Sequence, residues 1–300
     1  MPLLRAEAEK LSNNQLEAGI IEEIIERDGI FALLPFKKIV GKAYVYNREN
    51  TLSEGDFLDP YDAVPEGAAD FNEITAKLRI LAGDVDVDKF LDETMDDTND
   101  QVSIQLQQKA KGLARKFHRT LATGDSGVNA KSFDGLPTLT AVDQILSAGT
   151  NGAAVTFEAL DELLDAVPNG AQALVMRKGT LRAIHALMRS LGGTQPEHVQ
   201  LPGMTGRVPA YMGVPILLND FLDTAEVQGT ANNTCSVYAA RFNEVDGLHA
   251  IYGGPAAGIR VEAIGTVQNK DANRFRLKWY CGTALKSTKS LARLKGITNI

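Results

Sequence analysis

A serine tetrapeptide, four histidines and two cysteines are the residues with which this chain of 300 amino acids could do chemistry. Gly124-Asp125-Ser126-Gly127 is the sequence in which chymotrypsin-like proteases carry a nucleophilic serine. Such a serine needs a histidine base and an acid that orients it. His118 is the only histidine upstream, it lies in the same helical pattern, and residue 128 is valine where those enzymes have glycine. The tetrapeptide therefore reads as a helix end, with glycine free to take the left-handed conformation found there. His118, His185, His198 and His249 show neither HExxH spacing nor a paired cysteine, so no metal ligand is assigned. Cys235 and Cys281 form no CxxC pair and read as reduced, buried thiols. Nucleotide binding has no support, because neither GxGxxG nor GxxxxGKS/T occurs and Gly253-Gly254-Pro255 breaks the spacing. The carboxylates of Asp56 to Glu66 and Asp92 to Asp100 sit in polar runs and read as solvated faces. These residues assign no catalytic group and no cofactor.

Composition narrows the class. A hydrophobic content of 44% supports a substantial core. A net charge of -7 argues against a chain whose main task is gripping nucleic acid, since that affinity comes largely from neutralising phosphates; any such contact should be weak. The start, MPLLRAEAEKLSNN, lacks the apolar core of a signal peptide, and no run approaches the ~20 apolar residues of a membrane span, so a soluble, non-secreted chain is expected.

The element that must position everything else is the stretch from Asp92 to Gly124. Val102, Leu106, Ala110, Leu113, Phe117 and Leu121 recur at three- and four-residue steps and share one stripe of a long helix. Acids fill its first turns and Lys109, Lys111, Arg115, Lys116 and Arg119 its later ones, the order a helix dipole favours. Upstream, Leu11 to Arg27 predicts an amphipathic helix, packed on its own core or lying as an arm on a neighbouring subunit, and Ile30 to Pro35 an extended link. Phe36 to Glu49 and Glu73 to Asp88 alternate as strands do, on either side of the apolar-poor segment Asn50 to Asn72. Together they predict a long two-stranded arm, marginal alone and needing something to lie on.

Downstream, Lys131 to Leu139 is a turn-rich joint, and the pattern then changes to helices at Thr156 to Val167 and Gly179 to Leu191 around a buried strand, Ala171 to Met176. Gly192 to Pro209 reads as a long loop. Strands are predicted at Tyr211 to Leu218, Cys235 to Phe242, Leu248 to Tyr252, Ile259 to Val267, Arg274 to Gly282 and Leu285 to Ile297. The fold class expected is α+β.

This ordered set resembles the major capsid proteins of tailed bacteriophages with the HK97 fold. The likeness is carried by Ser132-Phe133-Asp134-Gly135-Leu136, the Gln172 to His185 strand and helix, Gly213-Val214-Pro215-Ile216-Leu217, and Arg274 to Tyr280 ahead of Leu291 to Gly296. The resemblance implies an N-terminal arm at 1–35, an E-loop hairpin at 36–88, a P-domain spine helix at 89–135, an A-domain at 136–258, and return strands of the P-domain at 259–300 that end at the A-domain. It implies homo-pentamers and homo-hexamers in an icosahedral shell around double-stranded DNA. Its partners would be a portal, a scaffolding or decoration protein, and weak non-specific contacts with DNA, with no membrane and no enzyme activity. Because the arm begins close to Met1, a separate scaffold or none is expected. Some family members cross-link an E-loop lysine, but Glu49 to Asn72 contains no lysine, and Lys37, Lys38 and Lys42 lie only on the ascending strand, so no cross-link is expected. Encapsulins, which share this fold and enclose cargo enzymes, are the nearest alternative, followed by a soluble α/β metabolic enzyme.

Overall fold

The computed structural model describes residues 29–51, 55–64, 66–68, 70–89, 101–192, 197–201 and 206–300. The predicted helix at Leu11 to Arg27 and the acidic turns from Asp92 to Asp100 lie outside these residues. In chain order come α1 (Gly29–Leu33), β1 (Phe36–Ile39), β2 (Ala43–Thr51), β3 (Asp70–Lys77), β4 (Arg79–Asp88), α2 (Gln101–Thr123), α3 (Leu136–Leu139), β5 (Ile145–Ser147), α4 (Phe157–Asp165), β6 (Ala173–Met176) and α5 (Lys178–Ser190). They are followed by β7 (Glu197–Gln200), β8 (Arg207–Tyr211), β9 (Val214–Leu218), β10 (Glu226–Gln228), β11 (Ala231–Ala240), β12 (Leu248–Gly253), β13 (Arg260–Thr266), β14 (Ala272–Leu285) and β15 (Leu291–Ile297).

The first sheet is built around β14. Antiparallel β4 covers one of its edges, β12 and β13 run end to end along the other, and β1 adds in parallel to β12. Leu277, Trp279 and Cys281 alternate onto the face that the spine helix α2 covers, where Leu106, Ala110, Leu113, Phe117 and Leu121 form the expected buried stripe. The Phe117 ring stacks on Trp279 at 4.7 Å between centroids. The return strand starting at Ile259 joins this cluster, and β4 supplies Leu81 and Val85 as further cover.

The second sheet has the order β5-β15-β11-β6-β9-β8-β7, with β10 alongside β11. Its core includes Leu160, Leu163, Leu174, Met176, Ile184 and Ile216, contributed by α4, α5 and the central strands. Thr156 caps α4 as its position predicts, its hydroxyl accepting from the Ala159 N–H at 3.2 Å. The β8–β9 hairpin turns through Met212 (φ 49°) and Gly213 (φ 76°), the two left-handed residues of a tight primed turn. The mixed architecture is α+β, as expected.

Several local expectations are corrected. Ile30 to Pro35 is not an extended link: Gly29–Leu33 is helical, because Ile30, Phe31 and Leu34 fall on one face and bury against the spine, with Phe31 5.5 Å from the Phe117 ring. Phe36 to Glu49 is not one strand. Gly41, at φ +109°, breaks it into β1, which joins the first sheet, and β2, which pairs with β3. Glu73 to Asp88 likewise divides at Leu78, and β4 pairs along β14 over its whole length. The two-stranded arm is therefore β2–β3 alone. The expected loop Gly192 to Pro209 contains β7 and part of β8, paired from Glu197↔Ala210 to Gln200↔Arg207. Leu285 ends β14 instead of opening the last strand, which begins at Leu291.

Candidate functional site

Most of the residues that could have done chemistry are absorbed by packing; His198 is exposed on β7. Ser126 donates its backbone N–H to Asp134 Oδ1 at 2.8 Å, and Gly127 donates to Asp125 Oδ1 at 2.7 Å, so the tetrapeptide is wrapped by the Phe133-Asp134-Gly135-Leu136 joint. Gly124 is not left-handed. A Cβ there would meet Thr120 O at 2.4 Å and Phe133 O at 2.5 Å, and one at Gly135 would meet Thr120 O at 2.5 Å, so both glycines are required by the close approach of joint and helix end. The joint is fixed further by Gly135 N–H to Gly124 O at 2.9 Å and Thr283 Oγ1 to Asp134 O at 2.5 Å.

His118 is buried among rings, 4.6 Å from the Phe31 centroid. His249 is fully buried, with Nδ1 3.4 Å from Gly247 O, and desolvation holds its imidazole below the ordinary value. His185 is lowered by burial and then by the charges of Arg189 and His198. Burial, followed by the Glu226 charge, pushes the Cys235 thiol up to about 12, and burial raises Cys281 further. Neither is a reactive thiolate. Among the described residues no group of three or more His, Cys, Asp or Glu side chains could hold a metal ion, and no helix is long and apolar enough to cross a membrane.

What stands out instead is surface without cover. Among the described residues, the β2–β3 hairpin is anchored at its root, where Tyr44, Tyr46, Ala76 and Leu78 pack on Ile39, Ile251 and Ala284. There the Tyr46 hydroxyl donates to Leu285 O at 2.6 Å, and Arg48 donates to Leu285 O at 2.8 Å and Lys286 O at 2.7 Å. Lys37 Nζ donates to the Tyr44 hydroxyl at 2.9 Å. Burial would raise the Tyr44 pKa, but hydrogen bonds from Lys37 and Lys286 and their charges leave it lowered. Tyr46, more deeply buried, is raised despite the Arg48 charge. Beneath the root lies a cavity of about 240 Å³ between Tyr46, Lys77, Arg79, Asp134 and Thr283.

Beyond the root, Phe57 (104% exposed), Tyr61 (106%) and Val64 (80%) stand in solvent, and Val45, Leu58 and Phe71 are also exposed. Tyr61 adopts φ 78°, a conformation that costs a bulky residue energy unless something holds it. Large exposed apolar side chains gathered on one element mark an interaction surface.

The outer face of the first sheet is exposed but electrostatically matched. Arg274 forks onto Asp86 at 2.6 and 2.8 Å, and Arg276 onto Asp84 at 2.7 and 2.8 Å, each pair directly opposite in register. These hydrogen bonds hold both carboxyls below the usual range. Lys278 pairs with Glu262 across the other edge.

No family model and no curated protein sequence matches this chain. Solved structures do. A subunit of the holo-SrpI encapsulin complex from Synechococcus elongatus superposes with a TM-score of 0.70 at 20% identity, covering 89% of this chain and 86% of that one. The capsid of a native GTA particle matches with a TM-score of 0.67 at 17% identity, over 89% of each chain. A chain of Mycobacterium phage Bobi matches with a TM-score of 0.63 at 11% identity, over 88% of this chain and 89% of that one. The fold is the HK97-type shell fold, in agreement with the resemblance read from the sequence. Of these neighbours, one is described as an encapsulin complex and one as the capsid of a particle.

Proposed function

We propose that this chain is the major capsid protein of a tailed-phage-type particle, assembling through homo-pentamers and homo-hexamers into an icosahedral shell around double-stranded DNA. The observation that carries the reading is the hairpin: a chain with a shell fold presents Phe57, Leu58, Tyr61 and Val64 exposed on an arm that no described residue covers. On a neighbouring copy those side chains gain the burial that they lack here. In this reading residues 1–35 form the arm, 36–88 the E-loop region, 89–135 the spine region, 136–258 the A-domain and 259–300 the return strands. A portal and a scaffolding or decoration protein complete the particle, which assembles in the host cytoplasm. DNA contact is weak and non-specific, and catalysis plays no part.

The overlap with the encapsulin subunit, TM-score 0.70, favours a second reading in which the shell encloses cargo proteins. Electron microscopy of the overexpressed chain, with assay of the nuclease-protected contents of native particles, separates the two. Closed shells holding DNA support the capsid reading; closed shells holding a co-purifying enzyme support the second; a small stable oligomer overturns both. The hairpin described from Ala43 to Lys77 offers lysine only at its root, at Lys77, so mature particles boiled in denaturant should run as monomer with no cross-linked ladder.

A further inference from the structure

We infer that the cavity beneath the hairpin root is a binding site for a single carboxylate group, received by the Arg79 guanidinium with Lys77 at the mouth; it holds whether the proposed shell encloses DNA or protein. The cavity, about 240 Å³, lies between β3, the start of β4, the joint and the end of β14. Arg79 opens β4, opposite Cys281 of β14. The strand alternates, so Arg79 shares the core-facing side with Leu81, Gly83, Val85 and Val87, while Asp84 and Asp86 take the outer side with Arg276 and Arg274. A charge therefore stands at the end of an otherwise apolar row.

That charge is not satisfied within the subunit. Arg79 Nε is buried and has no hydrogen-bond partner. A buried charged donor without an acceptor costs more than a neutral one, so a group kept in that state calls for an acceptor brought from outside. The polar neighbours in the lining are committed elsewhere. The Tyr46 hydroxyl donates to Leu285 O at 2.6 Å, and Thr283 Oγ1 donates to Asp134 O at 2.5 Å. Asp134 Oδ1 accepts the Ser126 N–H at 2.8 Å, and Asp134 makes no hydrogen bond to Arg79 Nε.

Size and charge select the occupant. Thr75 and Lys77, both exposed, line the outer side of the cavity, so a ligand group can enter from solvent. The space is far more than the ~15 Å³ that a single water requires, and the planar guanidinium fork matches the two oxygens of a carboxylate. The ionisable residues of the lining leave one net positive charge, Lys77 and Arg79 against Asp134, with the Tyr46 phenol kept neutral by burial. A monoanion balances it. A phosphate dianion would set its second charge against Asp134. The carboxylate comes from a small free acid or from an acidic side chain of a second copy. The hairpin beyond its root has that chemistry: the charged residues of 52–72 are all acids, with Asp56, Asp59 and Asp62 exposed.

The test uses the full, unassembled chain with nitrogen-labelled arginine, titrated with sodium acetate against sodium chloride at matched ionic strength and followed by proton–nitrogen NMR. The Nε–H resonance missing from Arg79→Gln identifies the site. In the wild type that resonance should shift saturably with acetate and the unfolding midpoint should rise; Arg79→Gln should lose both responses. Arg79→Lys, which keeps the charge without the fork, should retain a weaker rise in midpoint. Asp134→Asn, which keeps the acceptor for Ser126, should tighten acetate and admit phosphate. A wild-type resonance that moves no more with acetate than with chloride, or an acetate response that survives Arg79→Gln, overturns the inference. Assembled shells then tell the sources apart. If Asp56→Asn, Asp59→Asn and Asp62→Asn together weaken shells non-additively with Arg79→Gln, and acetate loosens wild-type shells, the second copy supplies the carboxylate. A neutral tip variant, with dialysed shells that regain stability in acetate, identifies a small free acid. Because the titration is made on the unassembled chain, a failure to form shells would sink the reading above and leave this site standing.

Discussion

The spine and the hairpin solve opposite problems with similar residues. Phe31, Phe117, Phe133 and Trp279 interlock under α2 with centroid spacings from 4.7 to 6.2 Å, and Phe117 has no exposed surface. Phe57 and Tyr61 on the hairpin stand in solvent instead, and Phe71 is more than half exposed. The difference teaches where each aromatic residue acts: those under the spine stabilise the subunit, while those on the hairpin would, in the shell reading proposed above, contribute when a second copy supplies the other half of the contact.

That division can be broken by ranking substitutions according to their effect on the isolated subunit. Phe117→Asp, or Leu106→Asp, places a carboxylate in the core and should give no folded subunit by circular dichroism. The milder Phe117→Ala should cost about 3–5 kcal/mol in a denaturant titration. Arg48→Ala, which removes both hydrogen bonds to the end of β14, should cost about 1–2 kcal/mol and raise hydrogen exchange in β2 and β3 without affecting α2. Gly112→Ala should raise stability by about 0.8–1 kcal/mol, since its Cβ would meet nothing.

A smaller effect concerns His249. Burial holds its folded-state pKa below the unfolded value near 6.5, so the unfolded chain takes up the proton first as pH falls. The stability from burying the neutral ring is complete above about pH 6.5 and is lost below it. His249→Gln should flatten the fall of the unfolding midpoint on acidification; an unchanged slope would assign the effect to other groups, His185 first. Smallest for the subunit is Phe57→Ser with Tyr61→Ser. It should shift stability by no more than about 0.5 kcal/mol and yet prevent shells in light scattering. A loss of stability comparable to that of Phe117→Ala would mean that the hairpin belongs to the subunit core after all.

Legibility in the sequence followed the same division. The spine stripe and the Thr156 cap could be read because their signals are local: a repeat of three and four residues, a hydroxyl before an apolar run. The pairing of β4 with β14 could not, because their partners lie about 190 residues apart and strand alternation does not name a neighbour. Gly41 was the available signal that Phe36 to Glu49 is two strands, since an isolated glycine in an alternating run often marks a bend. Gly124 misled for a physical reason: a helix-ending glycine is usually there for its φ, and this one is there for its missing side chain.

β14 also has a mechanical consequence. It is bonded to β4 on one side and to β12 and β13 on the other, and its last carbonyl, that of Leu285, receives the hairpin through Tyr46 and Arg48. A tug on the hairpin that runs along this strand would load the rungs of both ladders at once, in shear, instead of peeling them one after another. The strand then acts as a tie between the arm that reaches outward and the spine that stays put. In the proposed shell, tension carried by the hairpin would enter each subunit through this strand and be shared by both of its ladders.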